Sequence, residues 1–124
     1  MSLANALKEK ILKLGAKQKL DAIIKYSDNP SSEVRMTVAM ALGMIQSYDS
    51  GIALVPLLRD SDPMVRATAA TAAGDIHAKV CEEYVKKLAF ADTDPNVRMF
   101  AKKAFNMLRG YYSQSPELRT SSSE

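Results

Sequence analysis

The chain has 124 residues, 47% of them hydrophobic and 25% charged, with a formal net charge of +3; that is enough for one domain with a continuous core and too little for two independent ones. No run of about 18 apolar residues could span a bilayer, and lysines interrupt the N-terminal stretch where a secretory leader would be apolar, so a soluble, cytoplasmic chain is expected. A lone cysteine, Cys81, excludes an internal disulfide and a cysteine-based zinc site, and fits a reducing compartment as a small buried hydrophobe.

Taken in chain order, Leu3, Leu7, Ile11 and Leu14 recur at helical spacing and predict an amphipathic first helix that stops at Gly15, a residue suited to a helix C-terminus. This helix, residues 1–15, is expected to cap the N-terminus. Six lysines against two acids before Asp28 place +4 there and leave −1 for the rest of the chain. Lys10, Lys13 and Lys17 could face an acidic partner or nucleic acid. No aromatic residue is interleaved to stack on a base, and a plain solvated face is the simpler account.

A second helix is expected from about Ala16 to Tyr26, and the turn Asp28-Asn29-Pro30-Ser31 separates it from a helix bearing Arg35. The next pair is expected over Ser50–Arg59 and Pro63–His77, and the last over Lys79–Phe90 and Pro95–Arg109, seven helices in all. Beyond Gly110 periodicity ends. Residues 111–124 are expected to form a flexible tail, with Tyr111 and Tyr112 folding back on the last hairpin.

Three of these helices carry one pattern. Val34-Arg35, Val65-Arg66 and Val97-Arg98 recur at periods of 31 and 32 residues, and the copies read VRMTVAMALGMI, VRATAATAAGDI and VRMFAKKAFNML. The period is one helical hairpin long, which divides the array at about 16–46, 47–78 and 79–110. Asp62-Pro63 and Asp94-Pro95 place a side-chain acceptor at the N-cap and proline at the first helical position. An arginine four residues on opposes the helix dipole by roughly 0.3–1 kcal/mol, so something must offset it. Arg35, Arg66 and Arg98 are expected to stack as a structural ladder on acidic turn residues such as Asp60, Asp62, Asp92 and Asp94, with phosphate binding as the alternative.

The run Asp-Pro-x-Val-Arg-x-x-Ala-x-x-Ala-x-Gly, most complete in Asp62–Gly74, resembles the HEAT repeat, in particular the short bacterial and archaeal type also seen in phycobilisome lyases. The resemblance covers roughly Ala16 to Arg109. The first copy has Ser31 where the aspartate should be, and the third has Asn106 where the others have Gly43 and Gly74, as befits terminal repeats. It implies an all-α, right-handed α-α superhelix of about three hairpins plus an N-terminal cap helix. The first helix of each hairpin would line the convex side and the second the concave side. Gly15 leaves open that the first helix is instead the second half of an incomplete repeat. The iron-dependent hydroxylases of this family hold metal with His-Glu pairs on successive repeats; here His77 is the sole histidine and Ala78 follows it. Neither a metal, a cofactor nor catalysis is expected. His77 reads as a helix-end or packing residue.

On a helical wheel, Val34, Val38, Ala41, Leu42 and Ile45 cluster on one side, and Val65, Ala69, Ala72, Ala73 and Ile76 take the same places one repeat later. The other side, expected to form the concave face of the array, carries Met36, Met40 and Met44, then Ala67, Thr71 and Asp75, then Met99, Lys103 and Met107. An exposed methionine row beside a small centre suggests an adaptable groove for a partner helix or peptide. The row could instead pack against the N-terminal helix, the tail or a second copy of the chain. A non-enzymatic scaffold binding a protein or peptide is therefore the expectation. Nucleic-acid or anion binding through the lysines is the alternative, and a chromophore-lyase-like subunit follows from the resemblance alone.

Overall fold

A computed structural model of the chain describes residues 2–114. Its regular elements are the α-helices α1 (Leu3–Ala16), α2 (Leu20–Ile24), α3 (Ser32–Leu42), α4 (Tyr48–Leu58), α5 (Pro63–Asp75), α6 (Glu82–Ala91) and α7 (Pro95–Gln114), with one 3-10 turn at Lys79–Cys81. Three hairpins, α2/α3, α4/α5 and α6/α7, stack so that α3, α5 and α7 run side by side, and α1 lies along the outer flank of α3. The result is an all-α solenoid.

The helix starts follow from capping chemistry. Asp62 accepts from the backbone N–H groups of Met64 (2.8 Å) and Val65 (3.4 Å), and Asp94 from those of Asn96 (2.7 Å) and Val97 (3.2 Å). Ser31 does the same for Val34 N–H at 3.4 Å, so serine in the first copy keeps the cap, worth about 1 kcal/mol over alanine. Ser47 accepts from Ser50 N–H at 3.0 Å, which starts α4 ahead of the predicted Ser50. Ala78 makes no side-chain cap, so Lys79–Cys81 forms a 3-10 turn and α6 begins at Glu82, later than predicted.

Two further boundaries and the register of α1 go beyond the sequence-based expectation for identifiable reasons. First, α2 is only five residues long, because α1 ends in a turn with Gln18 in the left-handed region (φ 61°) and Lys19 N–H donating to Leu14 C=O at 2.9 Å. Residues 17–19 are thereby consumed in the connection. Second, α7 does not stop at Arg109 or Gly110 but runs to Gln114. Tyr112 donates its hydroxyl to the His77 carbonyl, and the Tyr111 ring stacks on His77 at 3.9 Å. These contacts outweigh the cost of about 1 kcal/mol of a mid-helix glycine. The expected flexible tail is thus helical over 111–114; its remainder, 115–124, lies outside the described residues.

Third, α1, at the N-terminal end of the array, stands where a second helix would stand. A Cβ built on Gly15 would lie 3.0 Å from Ala41 Cβ, as one on Gly43 would lie 2.9 Å from Ala72 Cβ and one on Gly74 3.2 Å from Ala104 Cβ. Glycine is required at these crossings because the helices approach so closely. Three residues past their glycines, Gln18 and His77 are both left-handed (φ 61° and 53°). The backbone bonds Lys19 N–H to Leu14 C=O and Ala78 N–H to Ala73 C=O, both 2.9 Å, close α1 and α5 identically.

That register accounts for the N-terminal lysines. Lys10, Lys13 and Lys17 fall where later copies place Val38, Ala41 and Ile45, or Ala69, Ala72 and Ile76, all buried. No first helix precedes α1 among the described residues, and the three lysines are exposed.

Candidate interaction surface

Two surfaces carry polar or exposed chemistry repeated from hairpin to hairpin. One is the edge formed by the turns that precede α3, α5 and α7. The other is the outer face of those three helices.

On the turn edge the arginines form a continuous ladder. Arg35 donates from Nε and Nη2 to both oxygens of Asp60 (2.8 and 3.1 Å), while its Nη1 bonds the carbonyls of Asn29 (2.8 Å) and Pro30 (3.1 Å). Arg66 repeats this on Asp92 (2.8 and 3.1 Å) and on the carbonyls of Asp60 (2.8 Å) and Ser61 (3.2 Å). Each rung therefore ties its own turn to the turn of the next hairpin. Asp60 and Asp92 are also folded onto their own turns, accepting from the N–H groups of Asp62 and Asp94, both at 2.9 Å.

The rungs are largely dry. Side-chain exposure is 16% for Arg66 and 5% for Asp92. Burial pushes the Asp60 and Asp92 carboxyls up, but the guanidinium and backbone N–H bonds outweigh it and hold both below the usual carboxylate value. The hydrogen bonds to Asp60 and Asp92 in turn raise Arg35 and Arg66. Asp62 and Asp94, expected among the acids of the ladder, serve as N-caps; Asp60 and Asp92 hold the arginines, because the acid two residues earlier is the one that faces the preceding hairpin. Arg98 makes half a rung, with Nη1 on the Asp92 carbonyl at 2.6 Å.

The outer face is less continuous than the wheel implies. Met40 on α3 and Met44 in the turn after it, Thr71 and Asp75 on α5, and Lys103 and Met107 on α7 are exposed, at equivalent positions of successive repeats. Met36 does not join them. It is half-buried and packs on the core, and its counterpart Ala67 is buried, because this position faces the next hairpin. Met99, the third member of that set, is 56% exposed at the far end. The Sδ atoms of Met44 and Met107 fold toward the hollows at Gly15 and Gly74, so flexible thioethers fill part of the space that the missing Cβ atoms leave.

Sequence reasoning missed two concavities that arise only from assembly. A groove of about 850 Å³ between α4 and α6 is lined by Leu58, Arg66, Tyr84, Lys87 and Asp92. Another of about 530 Å³, at the opposite end of the hairpins, includes Tyr48, Gly51, His77, Lys79 and Tyr112. In the second, Lys79 lies 5.0 Å from the Tyr112 ring centre. Cys81 is buried, donates to the Gly51 carbonyl at 3.2 Å, and has its thiol pushed up to about 12 by burial, so it is a packing residue. Among the described residues no group of three or more His, Cys, Asp or Glu side chains could hold a metal, and no helix is long and apolar enough to cross a membrane.

A family model described as HEAT repeats matches residues 52–120. No curated protein matches the chain.

Proposed function

Because the chain belongs to the HEAT-repeat family, whose arrays are generally protein-interaction scaffolds, we propose that it is a non-enzymatic scaffold whose binding surface is the outer face of α3, α5 and α7. Met40 and Met44 would supply an apolar flank, Thr71 the low centre, and Lys103 and Met107 the second flank, with Met99 at its margin. The observation that carries this reading is the exposure of Met40 and Met44 on one flank of α5 and of Met107 on the other, where polar residues would ordinarily sit. The backbone beneath is held by glycine crossings and the arginine ladder, so little conformational entropy would be lost on binding. Lys103 and Asp75 add opposite charges across the face. A partner helix with an apolar ridge, an acid toward Lys103 and a base toward Asp75 would fit.

Phosphate binding receives less support, because the lysines are divided. Lys10 and Lys13 lie on α1 with Lys17 just past its end, and Lys102 and Lys103 lie on α7, at opposite ends of the array. A photo-crosslinking residue at Thr71, compared with one at Lys86 on α6, tests the proposal in host cells. Covalent capture of one protein from position 71, lost when Met40→Glu and Lys103→Glu are added, is the expected result. Capture from position 86 alone, or only of a second copy of the chain, would retire the outer-face reading.

A further inference from the structure

We propose that the open end of the array, where Arg98 and Lys102 flank Phe90 and Met99, is a separate docking face that receives an aspartate held in the turn ahead of a partner's helix. The two internal rungs define what such a place takes. In each, one arginine nitrogen is anchored on backbone carbonyls of its own turn while Nε and Nη2 grip both oxygens of an aspartate from the next hairpin. Arg98 has the anchor, with Nη1 on Asp92 C=O at 2.6 Å, and among the described residues its Nε and Nη2 hold no carboxylate. The guanidinium is thus preorganised for a two-pronged acid that none of the described residues supplies.

The apolar surroundings are open in the same way. Leu58 is 1% exposed and its counterpart Phe90 is 65% exposed; Ala67 is 3% exposed and its counterpart Met99 56%. Lys102 takes the place of the fully buried Ala39 and Ala70 and lies 6.0 Å from the Phe90 ring centre. An apolar floor edged by two cations favours a partner that brings a carboxylate as well as an apolar side chain.

The N-terminal turn supplies an internal control. Asn29 stands where Asp60 and Asp92 stand later, and makes the same turn, accepting from Ser31 N–H at 2.9 Å. The α1 residue opposite that turn is Leu7, in the arginine register. Carboxylate therefore appears only where an arginine faces it. This also argues against a second copy as occupant, since Asp60 and Asp92 are already engaged, the free turn has the neutral Asn29 at the position that grips an arginine in the later turns, and α1 presents lysines outward.

The test uses arginine Nε–H NMR signals of the full chain, with a synthetic peptide of residues 86–101 as the probe, because it carries the Asp92 turn and the start of the following helix. Saturable movement of the Arg98 signal, with Arg35 and Arg66 unmoved, is expected. An Asp92→Asn peptide should bind at least tenfold more weakly. So should the Asp92 peptide to an Arg98→Lys chain, whose backbone amide spectrum reports that it remains folded. The proposal is overturned if Arg98 does not respond or if the two peptides bind equally. It is also overturned if the free chain already shows Arg98 engaged and loses this on Glu117→Gln or Glu124→Gln, which would assign the place to the chain's own carboxylates. A dimer of the free chain, seen by light scattering and dissolved by Arg98→Lys, would assign it to a second copy.

Discussion

The middle of the array and its two ends use the same helix positions for opposite purposes. Between hairpins, Ala39 and Ala70 are fully buried, and Gly43 and Gly74 let the next helix approach to contact distance. At the far end the corresponding residues are Lys102 and Asn106, both exposed; at the near end Lys13 stands where Ala41 and Ala72 are buried. Repetition sets the backbone geometry, but the presence or absence of a neighbour decides the residue type. The basic N-terminus is therefore first an account of an uncovered helix face, and only secondarily a clue to a partner.

The largest effect that could break this comparison is steric. Gly43→Leu forces atoms into a gap where even a Cβ would lie 2.9 Å from Ala72, and should cost about 3 kcal/mol in urea unfolding followed by circular dichroism. Asn106→Leu, at the equivalent but exposed place, should move stability by less than about 0.5 kcal/mol. Equal losses would mean that the two positions are not distinguished by coverage. The ladder gives the next contrast. Arg66→Ala breaks a rung whose aspartate is only 5% exposed and should cost about 2 kcal/mol, since it strands a partly buried carboxylate. Arg98→Ala, with half a rung, should cost about 0.5 kcal/mol.

Acid sharpens the same contrast. The carboxyls of Asp60 and Asp92 lie below the ordinary aspartate value of 3.8 in the folded chain, so the unfolded chain takes up protons first as pH falls. Their contribution is fully present above about pH 4 and is lost as pH drops through the lower folded values. Chemical denaturation repeated between neutral pH and pH 2 should show stability falling over that range in the wild type. The Asp92→Asn chain should fall less steeply, because one of the two linked carboxyls is gone. An unchanged slope would mean that the rung does not couple to folding.

Much of this is legible in the sequence, and the reasons differ by feature. Local chemistry read well: Asp62 and Asp94 as N-caps, the paired helices, and the wheel positions Val34, Val38, Ala41, Leu42 and Ile45, all of which are buried. The arginine ladder was legible as a type, because a cation near a helix start needs an offset, but its partners were not. Spacing cannot say which of Asp60 and Asp62 turns toward the preceding hairpin. Met36 failed for a related reason. A wheel drawn on one helix separates inside from outside, whereas a solenoid helix also has sides that face the hairpins before and after it. The end of α7 was hidden because Gly110 is a fair stop signal, while the contacts of Tyr111 and Tyr112 with His77 are long-range.

The smallest predicted effect on stability is the most direct probe of what the ends are for. In the Lys102→Ala, Asn106→Gly chain the forward side of α7 acquires the residue types that Ala70 and Gly74 present inside the array, beside the already exposed Phe90 and Met99. The gain in helix propensity at 102 and the loss at 106 should nearly cancel, leaving the monomer within about 0.5 kcal/mol of wild type. The solution behaviour should change more. An enlarged apolar face without its lysine should pair with its own kind, forward side to forward side, since the opposite end of each copy still presents Lys10, Lys13 and Lys17. Sedimentation velocity over a concentration series should show a dimer in the double variant that is absent from the wild type and from Lys13→Ala alone. If the double variant stays monomeric, side-chain polarity is not what closes this end. The open half-rung at Arg98 would then be the feature that any neighbour must satisfy before it can dock.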